Sequence, residues 1–173
     1  MIEAVVLVVF PFCMVFAAAS DLLSMTIANR ISAILLAAFL LIAPWAGMGA
    51  AEIGWHLLAG ASVLAVTFGL FALGGMGGGD AKLLSATALW MGFGMPLIAY
   101  LVTASFLGGI LTLSILAYRH SALAVFTDRN IFLRNFSEGA KGVPYGIALG
   151  LAGLVVFPES PLMVWTVNRL IAG

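Results

Sequence analysis

Apolar residues fill this chain in long stretches, and polar residues interrupt them at only a few places. A membrane-crossing helix needs about 20 mainly apolar residues at a rise of ~1.5 Å each. Ile2–Ser20, Ile31–Met48, Ile53–Met76 and Pro96–Tyr118 are of that kind. Ala81–Phe93 and Val143–Phe157 are shorter candidates, and Leu162–Ile171 is too short to cross alone. The pattern predicts an all-α fold, a polytopic transmembrane helix bundle of about six spans. It forms one integral-membrane domain over residues 1–173. The stretches are apolar nearly all round, so periodicity does not say which face looks inward.

Composition sharpens this picture. The 173 residues are 64% hydrophobic and 8% charged, against roughly 45–50% and about 25% in a soluble domain. A water-soluble globule with a polar surface is excluded, and the lipid bilayer is the expected surrounding. Seven basic residues balance seven acidic ones, so nothing in the bulk charge favours nucleic acid. The single cysteine, Cys13, permits neither an internal disulfide nor a multi-cysteine zinc site. No metal site and no cofactor are expected. The first stretch ends "FAAAS" like a secretory signal, yet its start, "MIEAVV", has Glu3 and no basic residue. It reads as a retained helix.

Basic residues give the orientation, because Lys and Arg are enriched in cytoplasmic connections. Arg30 follows the first stretch and Lys82 the third, while Arg119, Arg129, Arg134 and Lys141 follow Pro96–Tyr118. The opposite connections, Gly49–Glu52 and Gly94–Met95, hold none. An external N-terminus therefore places every basic residue except Arg169 inside. Between Arg119 and Gly142, "ALAVFTDRNIFLRNF" interleaves apolar and charged positions, which predicts an interfacial helix on the cytoplasmic leaflet.

Most acidic residues read as solvated charge. Glu3, Glu52 and Glu159 lie at outer ends, and Asp128 and Glu138 lie among basic residues. Asp21 and Asp80 do not fit that reading. They are expected at the same membrane depth although far apart in sequence, and an ionisable residue beside a span marks function by default. Each could instead be a helix cap, Asp80 for a helix starting at Ala81. A cap alone does not explain the preceding "GGMGGG". Glycines allow close backbone approach and positive φ, and irregular backbone at this depth must be buried or line a watery cavity. A nucleotide loop is excluded, since no G-x-x-x-x-G-K-[ST] occurs. Two aspartates across a cleft share a proton and suit hydrolysis by activated water. No base for a nucleophilic Ser or Cys is at hand, with His56 expected outside and His120 beside the long connection.

"GGGDAKLL" resembles the G-x-G-D motif of intramembrane aspartyl proteases, most closely the G-x-G-D-x-K-L form of the type IV prepilin peptidases. "SDLLSMTIANR" is similar to that family's other catalytic segment, an Asp at a cytoplasmic helix end followed by I-P-N. "VPYGIALG" resembles its P-Y-G-x-A segment. The order and spacing agree over nearly the whole chain, and its size resembles the small TadV/CpaA-like form that serves Flp-type (tight adherence) pili. Ala28 stands where the family usually has proline.

The resemblance implies a bacterial inner-membrane peptidase with its catalytic face toward the cytoplasm. Its substrate partner would be a prepilin, whose short basic leader it removes. Larger relatives have an N-terminal segment with cysteine pairs and also N-methylate the product, so cleavage without methylation is expected here. Asp21 and Asp80 carry over as the catalytic pair. Gly77 and Gly79 would admit the substrate strand, Asn29 is retained, and Pro144, Tyr145 and Gly146 would pack beside the cleft. Lys82 would sit near the pair and favour ionisation, or else only snorkel at the membrane edge. The rival reading is a small proton- or cation-coupled transporter subunit using the same aspartates.

Overall fold

Helices account for most of residues 2–121 and 142–172, the part described by the computed structural model, and no strand occurs among them. They are α1 (Ile2–Ser24), α2 (Asn29–Trp45), α3 (Ala50–Ala72), α4 (Gly78–Met91) and α5 (Met95–Arg119). After residue 142 come α6 (Tyr145–Val156), a 3-10 turn (Phe157–Glu159) and α7 (Pro161–Ala172). The expected all-α, membrane-type architecture is present. By length and composition α1, α3 and α5 can cross a bilayer, and α6 with α7, bent by 46° at a break, can form a fourth span. The expectation of about six spans is therefore approximate. At 17 residues α2 is short, and at 14 residues α4 reaches only about 21 Å of a ~30 Å core. Protein rather than lipid surrounds α4: Ala81 and every residue from Leu83 to Met91 are buried.

The ends of the helices explain the polar interruptions. The glycine run begins as a helix stop. Gly74 has φ +76°, and the N–H groups of Gly74 and Gly75 donate to the carbonyls of Phe71 and Leu70 at 2.9 Å each. This is a Schellman closure of α3, for which a left-handed glycine is the favoured residue. At the end of α1 a simpler left-handed closure is made without glycine: Met25, at φ 53°, donates its N–H to the Asp21 carbonyl at 2.9 Å. At the other end of the bundle Gly92 has φ +65°, and a Cβ there would lie 2.6 Å from the His56 ring.

Packing relies on such close approaches. α3 and α4 run antiparallel: Gly60 faces the Ser85 carbonyl, 3.2 Å from an ideal Cβ, and His56 Nδ1 lies 2.7 Å from the Leu89 carbonyl oxygen. α6 lies on α1, with Gly150 against the Met14 carbonyl and Gly153 against the Met14 sulfur. An aromatic cluster closes the core away from the glycine run. Phe10 stacks on Phe157 at 4.4 Å and meets Trp90 at 5.1 Å, and Trp90 Nε1 donates to the Leu35 carbonyl. Arg169, the basic residue left out of the charge pattern, pairs with Glu3 at 3.1 Å. The expected interfacial helix at 122–136 lies outside the described residues, as do Arg129, Arg134 and Lys141.

Candidate active site

Asp21 sits in the last turn of α1, and the residue is 5% exposed. α1 continues past it to Ser24, so Asp21 is not a cap. One of its oxygens, Oδ2, accepts the backbone N–H of Gly146 at 2.7 Å. Gly146 lies in the first turn of α6, where N–H groups have no partner within the helix. Only glycine fits there: a Cβ would lie 2.8 Å from Asp21 Cβ, Asp21 Oδ2 and Ile27 Cδ1. The "PYG" segment thus presents a bare backbone N–H to a buried carboxylate.

Asp80 is held in a parallel way. α4 begins at Gly78, three residues earlier than a cap at Asp80 would require, with Gly77 as N-cap. Asp80 therefore occupies the third helical position, and its carboxylate turns back to accept a backbone hydrogen bond from Gly77. An ideal Cβ on Gly77 would be 2.7 Å from Asp80 Oδ2. Reaching back from that position to the N-cap N–H is half of a capping box. The capping reading thus describes part of what Asp80 does, by a different geometry.

The two carboxylates line one cavity of about 280 Å³, with Met25, Gly74–Gly77, Gly142, Val143 and Tyr145. They are close enough for the charge on Asp21 to act on Asp80. Three connections meet here: the turn after α1, the glycine run before α4, and the chain entering α6. Arg119, at the end of α5, donates to the Gly142 carbonyl at 3.3 Å and ties that helix to the rim. Two nearby carboxyl groups, each with one oxygen held by a backbone N–H, can divide one proton between them.

The other sequence-selected residues take distinct places. Gly77 lines the cavity. Gly79 backs onto Ile27, whose Cβ would be 3.1 Å from a Cβ at that position, so its close approach is used inside the protein. Lys82 and Asn29 do not join the aspartates. Lys82 Nζ donates to Asn29 Oδ1 at 2.8 Å, and both line a separate groove between α2, α3 and α4. Pro144 is the N-cap of α6. Tyr145 walls the cavity, its ring 3.3 Å from a Cβ on Gly108 and its hydroxyl 3.0 Å from Thr112 Oγ1. Sequence reasoning missed Met25, Ile27 and Thr112. Nothing in the letters marks any of the three. Among the described residues no three His, Cys, Asp or Glu side chains converge as a metal site.

The sequence model of the type IV leader peptidase family matches residues 8–113, which include Asp21, the glycine run and Asp80. No curated protein and no solved structure matches the chain significantly.

Proposed function

The chain belongs to the type IV leader peptidase family, and we propose that it cleaves prepilin leaders as an aspartic endopeptidase through Asp21 and Asp80. The narrower reading is a bacterial inner-membrane enzyme acting at the cytoplasmic face on Flp-type prepilins. Its supports are the three sequence segments quoted above and the distribution of basic residues. One observation carries the mechanism: residues 59 apart in sequence line the same cavity, each with an oxygen held by a glycine N–H. The family match lends the transporter reading no support.

In this mechanism the pair starts with one proton. The ionised carboxylate takes a proton from water as the water oxygen attacks the scissile carbonyl carbon. The protonated carboxyl group donates to the carbonyl oxygen, giving a tetrahedral diol. Collapse breaks the C–N bond, the leaving nitrogen takes the proton gained from water, and a diol hydroxyl returns the other. The aspartates thus end as they began. The 2.7 Å bond from Gly146 fixes one oxygen of Asp21 and leaves its second for these transfers.

Asparagine keeps the size and an accepting oxygen but removes the acid–base chemistry. Asp21→Asn and Asp80→Asn should each lower processing of a co-expressed prepilin by about 10²–10⁴-fold. The double variant should be hardly worse than either, because the pair acts as a unit. Glu159→Gln, at the far end, should process normally. Single Asn variants of normal membrane abundance and normal rate would sink the aspartic mechanism.

A further inference from the structure

The groove between α2, α3 and α4 has a volume of about 420 Å³ and changes character along its length. Asn29, Ser32 and Lys82 line it toward the aspartate end, and Leu36, Leu57 and Leu89 line it further in. From Lys82 to Leu89 it follows α4 for about 10 Å. The Lys82 ammonium donates one N–H to Asn29 Oδ1 at 2.8 Å, and two N–H groups remain. No carboxylate among the described residues pairs with Lys82. One turn in from Asn29, the buried Ser32 hydroxyl oxygen has no hydrogen-bond partner among the described residues. Arg30 adds a second cation at this edge, its guanidinium 5.8 Å from the centre of the Phe16 ring. It too has no carboxylate partner among the described residues.

Shape and charge together select what fills this groove. A membrane helix is about 10–12 Å across and about 30 Å long, too bulky for so small a space. An extended peptide would leave its backbone groups unpaired against the leucines. An acyl chain has neither problem. The cationic end calls for an anion with several acceptor oxygens, and a phosphodiester carries them at the level where hydrocarbon meets headgroups. Lys82 stands near the start of α4, beside the connection from α3, where that level is expected. Basic pockets between membrane helices bind anionic headgroups, and hydrogen bonds between ionised partners are about twice as strong as neutral ones. A zwitterionic headgroup brings its own cation, which competes with Lys82 for the phosphate.

We infer that the α2–α3–α4 groove binds one anionic phospholipid from the leaflet at the aspartate end. Its phosphate sits on Lys82 and the Asn29 amide, with Arg30 adding attraction from the far side of α2. One acyl chain runs along the groove toward Leu57 and Leu89. A rotation of the Ser32 side chain turns its hydroxyl to a glycerol ester carbonyl. The inference is independent of the peptidase reading, because neither aspartate lines this groove.

The test is native mass spectrometry of the full chain in neutral detergent, titrated with phosphatidylglycerol or with phosphatidylcholine of the same acyl chains. One phosphatidylglycerol should be retained about tenfold more tightly than phosphatidylcholine, the scale of a hydrogen bond to a charged group. Lys82→Gln should bring the two lipids within about twofold of each other, and Lys82→Arg should keep the preference. Ala61→Trp, which fills the groove, should weaken both lipids together. Gly109→Trp, on α5 and outside this groove, should change neither. Glycerol 3-phosphate, the same anion without a chain, should not displace the lipid. Thermal midpoints of the lipid-free variants, matched to the parent, separate lost binding from lost folding. Equal retention of the two lipids by the parent chain overturns the inference, as does a preference that survives Lys82→Gln. Displacement by glycerol 3-phosphate, or unchanged retention in Ala61→Trp, overturns the placing of the acyl chain. Retention is read without turnover, so the outcome does not depend on whether the aspartic mechanism stands.

Discussion

A single methyl group at Gly146 would collide with Asp21 and Ile27 at 2.8 Å, closer than ordinary Cβ contacts. Gly146→Ala must push the carboxylate off its N–H or shift the start of α6, so we expect processing to fall by about tenfold or more. Pulse-chase of a co-expressed prepilin, with membrane abundance matched, checks this; normal processing would mean that the 2.7 Å bond does not position Asp21. At Ala28 the opposite holds. Its φ of −67° is the value proline imposes, and as N-cap its N–H lies outside the helix ladder. Ala28→Pro should therefore keep full activity and stabilise the fold by about 0.4–1 kcal/mol, seen as a higher thermal midpoint. For the pair itself, rates should be bell-shaped in pH, with both limbs belonging to the pair. Acid removes the base, and alkali removes the shared proton. A monotonic rise from acid to neutral pH, with the enzyme intact, would count against sharing. At this scale the sequence named the polar letters but not their partners. "GGGDAK" places Asp80 and Lys82 side by side, yet helical geometry turns them to different grooves, and no local pattern announces that Lys82 will meet Asn29.

For whole elements, apolarity located each helix among the described residues but could not assign faces or fix ends. α4 shows why. Its residues are small and apolar with Ser85 and Thr87 between them, and both hydroxyls return to their own helix, to the Ala81 and Leu83 carbonyls. A helix that meets its polar needs internally can be buried on all sides and still look like a short lipid-facing span. Its early start at Gly78 was hidden because glycine is a poor helix former, so the run reads as loop until the Gly77 cap and the Asp80 carboxylate are seen together. The glycines inside helices separate by the space around them. A Cβ on Gly60 would lie 3.2 Å from the Ser85 carbonyl oxygen and 3.3 Å from Leu89 Cβ, whereas one on Gly69 would meet nothing within 4 Å. Gly60→Leu should force α3 and α4 apart and destabilise by about 1–3 kcal/mol, while Gly69→Leu should be nearly neutral. Denaturant unfolding in mixed micelles measures the difference. Similar midpoints for the two would show that α3–α4 packing has slack at Gly60.

On the scale of the molecule, the site depends on three connections sharing one end of the bundle. The turn after α1, the glycine run and the chain entering α6 all contribute to the aspartate cavity. Arg30 and Lys82 lie beside these connections and Arg119 reaches the rim, whereas the opposite end carries Glu3, Glu52 and Glu159. Arg169 is the basic residue at that opposite end, paired with Glu3. The charge asymmetry was legible in the sequence because it depends only on order along the chain. The bend between α6 and α7 was not, since nothing in "FPESP" fixes whether the break lies inside a span or at its edge. An excess of Lys and Arg marks the cytoplasmic side, so the aspartate end should face the cytoplasm. Alkaline phosphatase, active only outside, and a fluorescent protein that matures inside should report opposite sides when fused after Gly49 and after Ser121. The expected result is phosphatase activity at Gly49 and fluorescence at Ser121. The reversed pair would leave the fold intact but move the aspartates to the outer face, where a leader still held in the cytoplasm could not reach them. Both fusions on one side would be more damaging, because α3, α4 and α5 would then not cross an odd number of times, as the antiparallel path through the bundle requires.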